Sequence, residues 1–371
     1  MFELKKTKLS AVIGNIWVIV ALAVLCSLFM AAPSVWSSSS KPIELSYAWF
    51  QPPHTTDSQG IKWWADEVEK RTKGMVTIKI YWGGTLAGPR EIAEAVRMGT
   101  ADMGCTVWGA YHPQQFSLYL INDWPVPFQN KPLAFWMATE QLSREFSAEF
   151  DAMLEANNVK RLTYFGIGNT HIISKKPINS LADFQGLKIR CSGPLHTTLL
   201  KAVGAAPINI PVMAAYDALQ KGVMDGSVSS IDFMYWFKLY EPCKYFTLVG
   251  MGGSPNAGTM INLDVWKKLS PDIQQVFMAL REEYPKYAAN AQAKDSEAAY
   301  KAMEENGVIV KKLPATELEA WKNLPLVKEL PGNWMGAVSK WSKLPETKLK
   351  QMLTQYKKLY SDYSERYPLE W

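Results

Sequence analysis

The chain has 371 residues, with 40 Lys and Arg against 35 Asp and Glu, and 48% of it is hydrophobic. That length suits two domains with buried cores. A formal charge of +5 on scattered basic residues, with no basic run interleaved with aromatics, argues against nucleic-acid binding.

Lys5, Lys6 and Lys8 precede an apolar run from Leu9 to Ala32, and AAPSVWSSSSKP follows at 31–42. A charged start, an apolar stretch and a small-residue exit make a secretory signal over residues 1–37, cut somewhere between 32 and 40. An uncleaved anchor is the alternative, because the run is long enough to span a bilayer. The rest of the chain contains no second stretch of that kind, so no stable membrane insertion is expected once the signal is removed. Cys105, Cys191 and Cys243 remain beyond the signal; three cysteines make no disulfide framework, and none is spaced as a metal or redox pair.

IELSYAWF (43–50) alternates as a strand, and IKWWADEVEKRT (61–72) has helical apolar spacing closed by Gly74. MVTIKIYW (75–82) is a second strand, and PREIAEAVRMG (89–99) a helix with Pro89 near its start and Gly99 at its end. The order points to an α/β layout with parallel strands. The same grammar returns in GLKIRC (186–191), TTLLKAVG (197–204), APINIP (206–211) and AAYDALQKG (214–222). EAVRMGTADMG (94–104) and DALQKGVMDGS (217–227) echo each other as helix, Gly, two residues, Asp. From about 270 the chain turns helical. Ser270 is an N-cap, Pro271 a first helical residue and Gly307 a stop, and Pro285 divides that stretch into two helices. A last amphipathic helix covers 344–367.

Catalytic signatures are missing. There is no HExxH and no Gly-x-Ser-x-Gly, while GIGNTH (166–171) and GMGGSP (250–255) lack the third glycine of a dinucleotide loop. His54, His112, His171 and His196 have no metal-type spacing. What remains suits a binder. Arg190 ends a short apolar strand, and a planar guanidinium there can hold a carboxylate through two charge-assisted bonds, in the crevice where open α/β sheets take ligands. A salt-bridged surface arginine is the plain alternative.

The stretch 178–230 carries L-x-D-x-x-G-L-K-I-R, then K-A-x-G-A-x-P, then Y-x-A-L-Q-x-G-x-x-D-G, and Y-E-x-x-K-Y follows at 240–245. With WADEVEKRTKGMVTIKIYWGGTLAGPREIAEAVRMGTADMG (64–104), these ordered motifs resemble the DctP-type solute-binding proteins of tripartite ATP-independent periplasmic (TRAP) transporters. The resemblance implies an α/β, periplasmic-binding-protein-like fold. Two α/β lobes would surround a ligand cleft, joined by crossing strands and a long helix, with a helical C-terminal region. It places residues 42–167 and 256–295 in the first lobe and 168–255 and 296–371 in the second. It also implies that Arg190 pairs with the ligand's carboxylate. Ser229 stands where the family usually has Asn, and Thr170, with His171 beside it, stands where some sialic-acid binders have a second arginine. Thr106, Val107 and Trp108 follow ADMG in place of polar groups. Phe50, Gln51 and His54 fall at the rim, and Trp108, Val212, Met213, Tyr235 and Trp236 at or near matched cleft positions.

The expected protein is thus a periplasmic carrier without cofactor or catalytic residues. It would capture a small organic carboxylate, aromatic or aliphatic rather than a sugar acid, and deliver it to TRAP membrane permease subunits. A secreted α/β enzyme using His171, Asp102 or Asp225, and a carboxylate-sensing ectodomain, are the alternatives.

Overall fold

The computed structural model describes residues 41–164, 168–252 and 257–367, so the expected leader lies outside the described residues. Ile43–Trp371 form one compact unit. Among the described residues the strands form two sheets. In the first, β1 (Ile43–Ala48) lies between β2 (Val76–Tyr81) and β3 (Met103–Val107), all parallel; β10 (Ala257–Asn262) runs antiparallel to β3 and to β4 (Val159–Arg161). The second sheet has the order β11 (Ile309–Lys312), β9 (Tyr245–Leu248), β5 (His171–Ser174), β8 (Gly226–Ser229), β6 (Lys188–Cys191), β7 (Ala206–Asn209), with β5 antiparallel to both neighbours. The chain crosses between the sheets after β4 and returns after β9.

Alternation along the strands sorts the cores. Ile172 and Ile173 are adjacent on β5 and enter different clusters on opposite faces of the second sheet. The first face takes helix α5 (Gly193–Ala202) and Trp321 of α9 (Ala315–Lys322); the other takes α6 (Ala215–Gln220) and α7 (Ile231–Trp236). Around the first sheet pack α1 (Thr56–Arg71), α2 (Ile92–Arg97), α3 (Pro132–Glu145) and α4 (Ser147–Glu155).

Helix α8 runs unbroken from Pro271 to Glu305 with Pro285 inside it, so the expected division into two helices is corrected. An internal proline removes one hydrogen bond and costs about 3 kcal/mol. Burial along the whole length, from Ile273 and Phe277 to Ala299 and Met303, offsets that, and the helix packs on α1 in one lobe and α7 in the other. The expected lobe boundary also moves. Helices α10 (Leu330–Ser342) and α11 (Glu346–Arg366) were assigned to the second lobe. Their Trp334, Val338, Leu349, Met352 and Tyr356 instead join the core of the first. The apolar stripe of α11 lies on α3, a long-range pairing that periodicity alone does not specify.

The two echoed segments fold alike. Gly99 (φ +74°) and Gly222 (φ +72°) end α2 and α6 in the left-handed conformation. The aspartate that follows then clasps the neighbouring parallel strand. Asp102 Oδ2 accepts from Ser46 N at 2.8 Å and Ser46 Oγ at 2.7 Å, and Asp225 Oδ2 accepts from Lys188 N at 2.8 Å.

Candidate ligand-binding site

Arg190 is the penultimate residue of β6, paired with Ile208 of β7 and Ser227 of β8. This places its side chain beyond the carboxyl ends of three parallel-running strands, and it is 5% exposed. Nε donates to Ile210 O at 2.8 Å, Nη1 to Val228 O at 2.9 Å, and Nη2 to Ser192 Oγ. A guanidinium has five N–H donors, so one on Nη1 and one on Nη2 remain. Among the described residues no carboxylate pairs with it. Burial pulls its pKa below the usual arginine value, against the pull of the Tyr111 hydroxyl; a guanidinium still keeps its charge. The site therefore holds a buried cation satisfied only by neutral acceptors.

The cavity over this fork is bounded by Phe50, Val107 and Tyr111 from the first lobe. From the second come Thr170, Ser192, His196, Val212, Val228, Ser229 and Phe233. It measures about 20 Å³, enough for one water. His196 Nδ1 donates to Ser192 O at 3.1 Å, and its Nε2 lies 3.0 Å from Thr170 Oγ1. Burial holds this imidazole neutral, with a pKa of about 4, so with its proton on Nδ1 its Nε2 presents a lone pair. Thr170 Oγ1 donates its proton to Gly252 O at 2.7 Å, which ties one crossing segment to the other beside the cavity. The result is one cationic fork, a few hydroxyls and mostly apolar walls.

The family model described as Bacterial extracellular solute-binding protein, family 7, matches residues 46–329. The chain belongs to this family. It is 29% identical over 294 residues to the 2,3-diketo-L-gulonate-binding periplasmic protein YiaO of Escherichia coli (strain K12), covering 76% of this chain and 86% of that protein. It is also similar to the TRAP periplasmic solute-binding protein of Bordetella bronchiseptica with bound (R)- and (S)-mandelate. There the TM-score is 0.77 at 25% identity, over 87% of this chain and 100% of that one. A marine metagenome TRAP solute-binding protein specific for aromatic acid ligands, in complex with 3-hydroxybenzoate, gives TM-score 0.77 and 25% identity, over 87% and 99%. Family 7 proteins are periplasmic transport proteins that take small organic acids and work with membrane permeases. Among the described residues no helix is long and apolar enough to cross a membrane, and no group of three or more His, Cys, Asp or Glu is placed to hold a metal ion.

Of the residues named from sequence, Arg190, Phe50, Val107, Thr170, Val212 and Ser229 meet at the cavity. Five others do not. Trp108 begins the turn after β3 and points into the first core, 4.7 Å from Phe116 and 5.2 Å from Tyr119 between ring centroids. Gln51 bridges Asp57 Oδ2 (2.9 Å) and Thr55 Oγ1 (2.8 Å) at the start of α1. Tyr235 stacks on Tyr240 at 5.6 Å. Trp236 donates to Asp295 Oδ2 at 2.6 Å and meets exposed His54 at 5.5 Å. His171 lines a different cavity. Its Nδ1 accepts from Val249 N and Gly250 N, both at 3.1 Å, and burial lowers its pKa to about 4. Met213 packs between the clusters of both lobes; Thr106 is buried in β3.

Tyr111, Ser192, His196, Val228 and Phe233 also line the cavity, though the sequence does not mark them as site residues. A signal for two of them exists. Ser192 and His196 occupy the cap and first turn of the helix that follows Arg190, where first-turn side chains face the strand tips. Tyr111 sits one turn beyond Val107, but only the fold places that turn over the cleft.

Proposed function

We propose that this protein captures a small organic carboxylate between its lobes and presents it, chemically unchanged, to TRAP permease subunits. The protein reaches the periplasm by way of its N-terminal leader. The observation that carries this reading is Arg190. A buried, permanently charged guanidinium with two free N–H groups and, among the described residues, no carboxylate partner suits an incoming carboxylate. The two N–H groups would take one carboxylate oxygen each, and Ser192, whose Oγ already accepts from Nη2, has its own proton to donate. Exclusion of water on closure lowers the effective dielectric and strengthens that pairing. The cavity holds about one water as it stands, so an acid enters as the lobes separate. The enzyme alternative loses its groups: the Asp102 and Asp225 carboxylates are strand clasps, and the His171 lone pair is occupied.

Phe50, Tyr111 and Phe233 offer aromatic surfaces, whereas Thr170, Ser192, His196 and Ser229 are its few uncharged polar groups. That balance favours an acid with an aromatic or aliphatic body. Each ring buried contributes about 2–3 kcal/mol, while a polyhydroxylated body would leave hydroxyls unpaired. Titration calorimetry with mandelate, 3-hydroxybenzoate, succinate and D-glucuronate tests the preference. Tightest binding by mandelate, 3-hydroxybenzoate or succinate supports it. Tightest binding by glucuronate overturns it, as does recovery of an altered acid for the claim of carriage without chemistry.

A further inference from the structure

A cavity of about 490 Å³, much larger than the one over Arg190, opens between the β9 and β5 ends of the second sheet, α8 and α9. Asn169 and His171 reach it from one crossing segment, and Val249 and Gly250 from the other. Asn169, 5% exposed, and Ser296, 6% exposed, both line it, and Asn169 Oδ1 and Ser296 Oγ have no hydrogen-bond partner. Both atoms are covered by protein, so the polar handle that the cavity itself presents is the neighbouring His171. His171 contributes a fixed donor. Its Nδ1 accepts two backbone N–H groups, so the neutral ring carries its proton on Nε2.

The remaining walls identify the chemistry. Ile231, Leu248, Val249 and Leu318 are apolar, and Lys312 and Lys322 stand against the single carboxylate of Glu297. Lys322 is held by Glu319 at 2.6 Å, while among the described residues Lys312 makes no ion pair. The His171 donor, an apolar waist and an excess of cation together match a small amphipathic anion.

We propose that this cavity is a second binding site for a small organic acid. Its carboxylate lies towards Lys312 and Lys322, its body against Leu248 and Leu318, and a polar substituent reaches His171 Nε2. This inference stands independently of the reading of Arg190. The probe is 4-(trifluoromethyl)benzoate, followed by fluorine NMR on the Arg190→Ala protein. Saturable binding is expected there. It should weaken at least fivefold when Lys312→Glu and Lys322→Glu are added, and disappear with Leu318→Trp, which fills the cavity. Crystals of Arg190→Ala soaked in 4-bromobenzoate should show an anomalous bromine peak beside Leu318 and Val249. Absence of saturable binding to Arg190→Ala, binding indifferent to both sets of changes, or a bromine peak only elsewhere would overturn the proposal. If Arg190 is not the cleft clamp, Arg190→Ala instead retains a bromine peak beside Phe50 and Tyr111, an outcome separate from the Leu318 peak.

Discussion

Trp236 Nε1 donates to Asp295 Oδ2 at 2.6 Å, and the same oxygen accepts from Thr56 Oγ1 at 2.5 Å. Thr56 opens α1 in the first lobe, Trp236 ends α7 in the second, and Asp295 sits on α8 between them. One carboxylate thus holds both lobes. Trp236→Phe keeps an aromatic ring but removes the donor on one side. A hydrogen bond to a charged, partly exposed acceptor is worth about 1 kcal/mol, and affinity falls with the fraction of closed protein. The variant should bind the best acid of the panel roughly fivefold more weakly, with a larger radius of gyration by small-angle scattering. Unchanged affinity and radius would show that the contact does not govern closure.

The interior of the first lobe rests on a charge cluster instead of disulfides. Glu140 pairs with Arg161 at 2.8 Å, Arg281 at 2.8 Å and Arg144 at 3.1 Å. Burial pushes the Glu140 carboxyl up, but Arg161, Arg281 and Arg144 outweigh it and hold the pKa at about 2. A depressed carboxyl stabilises above its ordinary pKa and loses that contribution as pH falls towards 2. Glu140→Gln, which leaves Arg161 buried without its partner, should destabilise by roughly 3–5 kcal/mol at neutral pH. Thermal melts should show the gap between variant and wild type closing below about pH 4, the ordinary carboxylate range. A gap constant with pH would contradict this.

Asp123 behaves in the opposite sense. It is buried, its Oδ1 has no hydrogen-bond partner, and burial raises its carboxyl to about 8. A raised carboxyl favours the fold while protonated, so this contribution is complete below the ordinary pKa and lost as pH rises through about 8. Asp57, at about 7, and Asp232, at about 6, act in the same direction. Asp123→Asn keeps the shape without the ionisation. Its melting temperature relative to wild type should rise between pH 6 and pH 9. A difference flat across that window would show that Asp123 is ionised throughout.

Local signals were legible in the sequence. Gly99 and Gly222 end helices where the echoed motif put them, and Arg190 stands at a strand tip within an ordered set of motifs. Direction and long-range pairing were not legible. Val107 faces the cleft while its neighbour Trp108 turns into the core, because the strand ends between them. His171 was expected beside the ligand, but Val249 and Gly250, far off in sequence, bind its Nδ1 and place it on the other cavity. The continuity of α8 through Pro285 likewise depends on partners from both lobes.

Titration of the tightest-binding acid of the panel into Arg190→Lys tests the central claim most directly. Lysine keeps the positive charge but lacks the planar fork. If Arg190 clamps a carboxylate through Nη1 and Nη2, affinity should fall by at least a hundredfold, in keeping with the roughly 2–5 kcal/mol cost of breaking a buried charge-assisted pair. Arg190→Lys binding within threefold of the wild-type protein would contradict it.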